Sequence, residues 1–211
     1  MVVPSDVSLS GVATWVLLTT TTFWQYFFGA LGPRPYAMDV ASTTQSFRLP
    51  ATLHPTHYDL TILSDLERLR FQGAVDVSLE VQQATSKIIF NAGKALELSD
   101  VVVSYDGHRE QASPAHDAQH ERATVSLKKE LPKGAKVTLT AAFRGEIDDS
   151  MMGYYRSSWE HEGRKGNYAL TQFEPTSARR AFPSWDEPEL KATYSMRMIH
   201  RDDTTALANM P

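Results

Sequence analysis

A chain of 211 residues with 42% hydrophobic and 22% charged side chains has room for one domain with a proper core, with or without a tail. A net charge of -4 with no lysine or arginine stripe argues against nucleic acid as the main partner. The lack of cysteine excludes a disulfide framework, a thiolate metal site and a cysteine nucleophile.

Residues 1–46 read as a leader and linker. No charged residue occurs from Val7 to Pro33, and Gly11 to Gly32 is long enough to cross a bilayer, which takes about 20 residues. As a span it is poor, because Thr19 to Thr22 run together and Gln25 interrupts the apolar stretch. Asp6 is the only charge ahead of it, where a secretory signal would carry Lys or Arg. Ala30-Leu31-Gly32 would serve as a small-residue cleavage site. The expectation is a disordered leader on a cytoplasmic protein, with a signal or membrane anchor as the alternative. Pro33, Pro35 and the polar run Ser42 to Ser46 complete a linker.

From Phe47 onward strand patterns dominate. In "FQGAVDVSLEV", Phe71, Gly73, Val75, Val77, Leu79 and Val81 fall on one face and Gln72, Asp76, Ser78 and Glu80 on the other. That period of two marks an antiparallel strand with one face on a core. "HYDLTIL", "KIIFNA", "LELSDVVVSY", "ATVSL" and "KVTLTAAFRG" follow in the same style. Turn residues such as Asp106-Gly107 and the Pro132 to Gly134 stretch separate them. No segment combines helical periodicity with helix length. The fold class expected is all-β, an antiparallel sandwich or saddle of short strands over residues 47–211.

Two stretches imitate metal sites. His116-Asp117-Ala118-Gln119-His120 carries the i, i+4 histidines of an "HExxH" zinc helix. Asp replaces the Glu base, however, and the flanks "EQASP" and "ERATVSL" are those of a polar loop between strands. At the spacing where a third ligand is often supplied stands Leu139, which cannot ligate. "HEGRK" at His161 opens the same way, but Lys165 takes the place of the second histidine. The first reads as a solvated hairpin loop, and the second is not a zinc site. No nucleophile elbow or Walker loop occurs.

The run "TQFEPTSARRAFPSWDEPELKATY", Thr171 to Tyr194, is different in kind. If Thr171 to Glu174 ends a strand, Gln172 and Glu174 project from one face and Phe173 from the other. An amide beside a carboxylate can cradle a small cation such as a primary ammonium. The competing assignment pairs Glu174 with Arg179 or Arg180 and makes it a loop-ordering residue. Asp186 and Glu187 are expected to balance the two arginines.

At these residues the chain resembles the zinc aminopeptidases of peptidase family M1, the puromycin-sensitive type among them. The run is similar to the signature near the end of their N-terminal domain. Leu49 to Leu60 resembles the opening strand, Phe71 to Val81 the next, Met151 to Trp159 the segment before the signature, and Ala206 to Pro211 the family's "ALSNMP". The resemblance implies an all-β saddle lying against a thermolysin-like catalytic domain. It implies that Gln172 and Glu174 hold the free α-amino group of a peptide substrate, so that the first peptide bond lies at the metal. Ser184 stands where many relatives have Cys, at a position that is not a ligand.

The family's "GAMEN" and "HExxH" segments lie in the domain that follows, and neither occurs here. The resemblance therefore implies zinc in that catalytic domain, no cofactor and no catalytic residue in this chain, and no peptide hydrolysis by this chain alone. The partners implied are a peptide with a free N-terminus and the catalytic domain. The alternative is a non-catalytic β-sandwich serving as an interaction or scaffold module.

Overall fold

Alternation of apolar and polar residues builds the strands, and the computed structural model describes them over residues 47–209. The leader, anchor and linker expectations for residues 1–46 lie outside the described residues. In chain order the strands are β1 (Leu53–Asp65), β2 (Arg70–Val81), β3 (Thr85–Asn91), β4 (Glu97–Tyr105), β5 (His108–Gln111), β6 (Ala115–Asp117), β7 (Arg122–Leu131), β8 (Lys136–Glu146), β9 (Gly153–His161), β10 (Arg164–Gln172) and β11 (Thr193–Ile199). Among the described residues the longest helical element is a single 3-10 turn, Ala178–Arg180. The all-β expectation holds.

The strands form a six-stranded sheet ordered β11-β1-β2-β8-β4-β5, a three-stranded sheet ordered β3-β7-β6, and the β9–β10 hairpin. Every pairing is antiparallel except β1 with β11, which run parallel with Tyr58 opposite Tyr194. The inward face of β2 is the one its sequence predicts: Phe71, Val75, Val77, Leu79 and Val81 are buried, while Gln72, Asp76 and Glu80 are exposed. These residues join Tyr58, Leu60, Val103, Leu139 and Phe143 from the large sheet, and Ile88, Phe90, Ala123 and Val125 from the small one, in one core. Two sheets bury one apolar face each, which is how a sandwich satisfies alternating strands.

Two reciprocal contacts fix the register of β2 against β8. Phe71 lies opposite Gly145 and Gly73 opposite Phe143. A Cβ on Gly73 would stand 2.5 Å from the Phe143 ring, and one on Gly145 the same distance from the Phe71 ring. Each ring thus covers the backbone left bare by the glycine across from it, a device that recovers packing lost at a strand glycine.

The turns follow the residue chemistry. Asp106 (φ 48°) and Gly107 (φ 74°) close β4 onto β5, and Glu162 (φ 50°) and Gly163 (φ 74°) close β9 onto β10. Two consecutive positive φ values are what a type I′ hairpin turn requires. "HEGRK" is therefore the tip of a hairpin.

Candidate functional site

The hairpin β9–β10 delivers the chain to the site. Its last pair is Gln172 opposite Gly153, and a turn follows in which the N–H of Ser177 donates to the Phe173 carbonyl at 2.7 Å. The peptide Glu174–Pro175 is cis. Phe173 turns inward and meets Phe182 edge-on, with ring centroids 5.9 Å apart. Gln172 and Glu174 are exposed. The sequence reading ran the strand on to Glu174, whereas β10 ends at Gln172 and Glu174 lies in the turn beyond it; Phe173, between the two exposed residues, is half-buried.

Gln172 Nε2 donates to the Glu174 carbonyl at 3.2 Å. That bond uses the amide's donor end, and Oε1 remains a hydrogen-bond acceptor. Among the described residues, neither carboxylate oxygen of Glu174 has a hydrogen-bond or ion-pair partner.

The signature's other three acids are all engaged. Asp186 Oδ2 accepts from Arg179 Nε at 2.9 Å and from the Arg179 backbone N–H at 3.3 Å, while Arg179 Nη2 donates to the Asp186 carbonyl at 3.1 Å. Glu187 accepts the backbone N–H of Leu49. Glu189 pairs with Arg48 at 2.9 Å. Arg180 is directed elsewhere, to Met152 Sδ at 3.5 Å and Glu121 at 4.0 Å. The alternative pairing of Glu174 with Arg179 or Arg180 is therefore not formed. Asp186 balances an arginine as expected; Glu187 instead caps the chain leading into β1, because Leu49 brings an unpaired N–H within its reach.

The loop is sewn to the sandwich at residues the sequence did not single out. Ser184 and Asn91 exchange two backbone hydrogen bonds, at 2.7 and 3.0 Å. The Asn91 side chain accepts from the Asp186 N–H at 3.1 Å, and Gly93 N–H donates to the Arg179 carbonyl at 2.7 Å. Trp185 N–H donates to Tyr58 Oη at 3.0 Å. Burial pushes the Tyr58 hydroxyl well above the usual phenol range. The one sequence signal for this anchorage is Asn91 itself, a polar residue closing the apolar run "KIIFN"; it is buried, and a buried amide demands partners.

The "HDAQH" stretch ends β6 and turns into β7, the loop its flanks predicted. His116 Nε2 lies 3.1 Å from the Ala92 carbonyl, and His120 Nδ1 lies 2.7 Å from Asp117 Oδ2. Asp117 also accepts the N–H groups of Gln119 and His120. The His120 hydrogen bond holds the Asp117 carboxyl below the usual carboxylate range. The two imidazoles serve separate acceptors. Among the described residues no group of three His, Asp or Glu side chains converges as a metal site, so the residues present do not fit a zinc ion.

Fold and site together define a β-sandwich domain whose signature loop exposes one amide, Gln172, and one carboxylate, Glu174. The family profile described as the Peptidase M1 N-terminal domain matches residues 54–211, and the chain belongs to that family. It is 40% identical over 169 residues to Aminopeptidase M1-A of Oryza sativa subsp. japonica, a match covering 78% of this chain and 19% of that protein. Aminopeptidase M1 of Arabidopsis thaliana gives the same identity and coverage. Glutamyl aminopeptidase of Sus scrofa is 31% identical over 186 residues, covering 85% of this chain and 20% of its own length. The chain spans about a fifth of the length of the curated relatives it matches.

Proposed function

We infer that residues 47–211 act as the substrate-recognition domain of a zinc aminopeptidase, with Gln172 and Glu174 holding the free α-ammonium of a peptide. The observation that carries this is the division of labour among the signature's acids: three are tied to Arg179, Leu49 and Arg48, and Glu174 is the one directed to solvent. An ammonium offers three donors and a full charge. Glu174 supplies the countercharge, and Gln172 Oε1, oriented by its own Nε2 bond, accepts a further hydrogen bond.

Anchoring the terminus measures a fixed distance to the first peptide bond, so hydrolysis elsewhere in the protein would release single residues from the end. The zinc and the general base belong, in this reading, to a catalytic domain outside these residues, and the chain by itself is inactive. The exposed Met151, Met152, Trp159, Tyr168, Tyr194 and Met196 are the apolar surface such a domain would cover.

The test is a titration of the ¹⁵N-labelled chain with an alanyl dipeptide amide and with its N-acetylated twin. Saturable shifts confined to residues 171–175 with the free amine alone are expected. Equal responses to both peptides, or shifts elsewhere only, would overturn the reading.

A further inference from the structure

The turn bearing Glu174 is exposed, and an exposed turn is mobile by default. A carboxylate that recognises a ligand has to be held by a supporting shell. Two devices on the protein side of the turn supply one. Phe173, between the two polar residues, packs edge-on against Phe182, and Phe182 in turn meets the buried Tyr58 ring at 6.3 Å. At the other end lies the Arg179–Asp186 pair, with side chains only 13% and 12% exposed.

The pair is joined to both the turn and the sandwich. Arg180 N–H donates to the Ser177 carbonyl at 3.1 Å, and Ser177 N–H to the Phe173 carbonyl at 2.7 Å, so the arginine segment and the Glu174 turn share a run of hydrogen bonds. Gly93 holds the Arg179 carbonyl and Asn91 holds the Asp186 N–H. A Cβ on Gly93 would come within 3.0 Å of Arg180 Cα, so the segment is pressed directly onto the end of β3. A buried ion pair loses in desolvation much of what it gains in attraction, and an apolar replacement of similar volume is often as stable. Its contribution to global stability alone does not explain why an arginine and an aspartate stand here.

We propose that Arg179 and Asp186 are positioning residues, which fix the 173–177 turn so that Glu174 and Gln172 converge on one ammonium. The proposal rests on the reading of Glu174 as the ammonium ligand. Arg179 is suited to the task because its planar fork spans Asp186 Oδ2 and the Asp186 carbonyl at once, which a lysine cannot do.

The experiment measures, for each variant of the full 211-residue chain, the affinity ratio between the dipeptide amide and its N-acetyl twin, together with the urea midpoint. The wild-type ratio is expected to be about tenfold, the worth of one charge-assisted contact at a partly exposed site. The double variant Arg179→Met/Asp186→Leu keeps the buried volume and is expected to fold while its ratio drops towards one. Arg179→Lys keeps the charge without the fork and is expected to lose severalfold of the ratio. A folded double variant with the wild-type ratio would overturn the proposal. Should the double variant not fold, Arg179→Lys decides: a reduced ratio supports the positioning role and an unchanged one refutes it. Glu174→Ala separates the two levels. If it abolishes the preference while the pair variants leave it intact, positioning fails and the ligand reading stands. A wild-type ratio of one removes both.

Discussion

The hydroxyl of Tyr58 on β1 accepts the backbone N–H of Trp185 at 3.0 Å, and both residues are buried. Through that bond a strand of the large sheet holds the middle of the signature loop. The Tyr58 ring is also stacked on Tyr194 with centroids 4.6 Å apart, so one side chain ties the loop and the parallel strand β11 to the same place.

Tyr58→Phe keeps the ring contacts and removes only the acceptor. The Trp185 N–H is then buried without a partner, which costs about 1–3 kcal/mol. A lower urea midpoint with an unchanged slope is the expected result; an unaltered midpoint would mean that water replaces the hydroxyl.

The same residue sets a pH dependence. Burial raises the Tyr58 pKa in the folded chain, whereas the unfolded phenol titrates near 10. The unfolded state therefore loses its proton first, and stability is fully present below about pH 10 and falls as pH rises beyond it. Tyr154 and Tyr194 are raised in the same direction, chiefly by burial, so Tyr58→Phe should flatten the alkaline fall without abolishing it. Denaturant unfolding between pH 8 and pH 11, values spanning that range, checks this.

Gly145→Ala places a methyl against the facing Phe71 ring, 2.5 Å away before relaxation, and Gly73→Ala places one against both the Phe143 ring and the backbone carbonyl of Thr61. Overpacking of this kind costs about 1–3 kcal/mol. Each substitution is expected to lower the thermal midpoint, and pairing Gly145→Ala, which meets only ring atoms, with Phe71→Leu should recover part of the loss. Non-additivity in that double-variant cycle is the signature of the direct contact.

Ser184 is buried, and among the described residues its hydroxyl has no hydrogen-bond partner. Its backbone is fully used in the bridge to Asn91, so the side chain contributes only a desolvated polar atom. Ser184→Cys, the residue to which the family resemblance points at this position, should stabilise the chain by about 1 kcal/mol. Chemical denaturation under reducing conditions measures it, and a destabilised variant would show that the space cannot take the larger sulfur.

The strands were legible because each presents one apolar face: β2 is buried at Phe71, Val75, Val77, Leu79 and Val81, exposed at Gln72, Asp76 and Glu80, and half-buried at Ser78. Turn chemistry also reads locally, as at Asp106-Gly107. Partners do not. The parallel pairing of β1 with β11 joins segments far apart in the chain with no turn to encode it. At the site, strand alternation pointed to Gln172 and Glu174 as a pair, but β10 ends at Gln172 and a turn carries Glu174. Which acid would take which arginine was hidden, since Asp186 reaches Arg179 only after the 3-10 turn at Ala178–Arg180 has brought them face to face. Glu187 was assigned to an arginine on charge alone; the Leu49 N–H that it caps is a backbone group, which composition does not reveal.

The central claim is that Glu174 reads a free amino terminus, and its most direct test compares the wild-type chain with Glu174→Gln. The measured quantity is the affinity ratio between the alanyl dipeptide amide and its acetylated twin. The substitution preserves shape, removes the charge and exchanges one acceptor oxygen for an NH2 donor. The account predicts a ratio of about ten in the wild type that falls to near one in the variant, with no change in unfolding midpoint. A ratio that survives the loss of the carboxylate would contradict it.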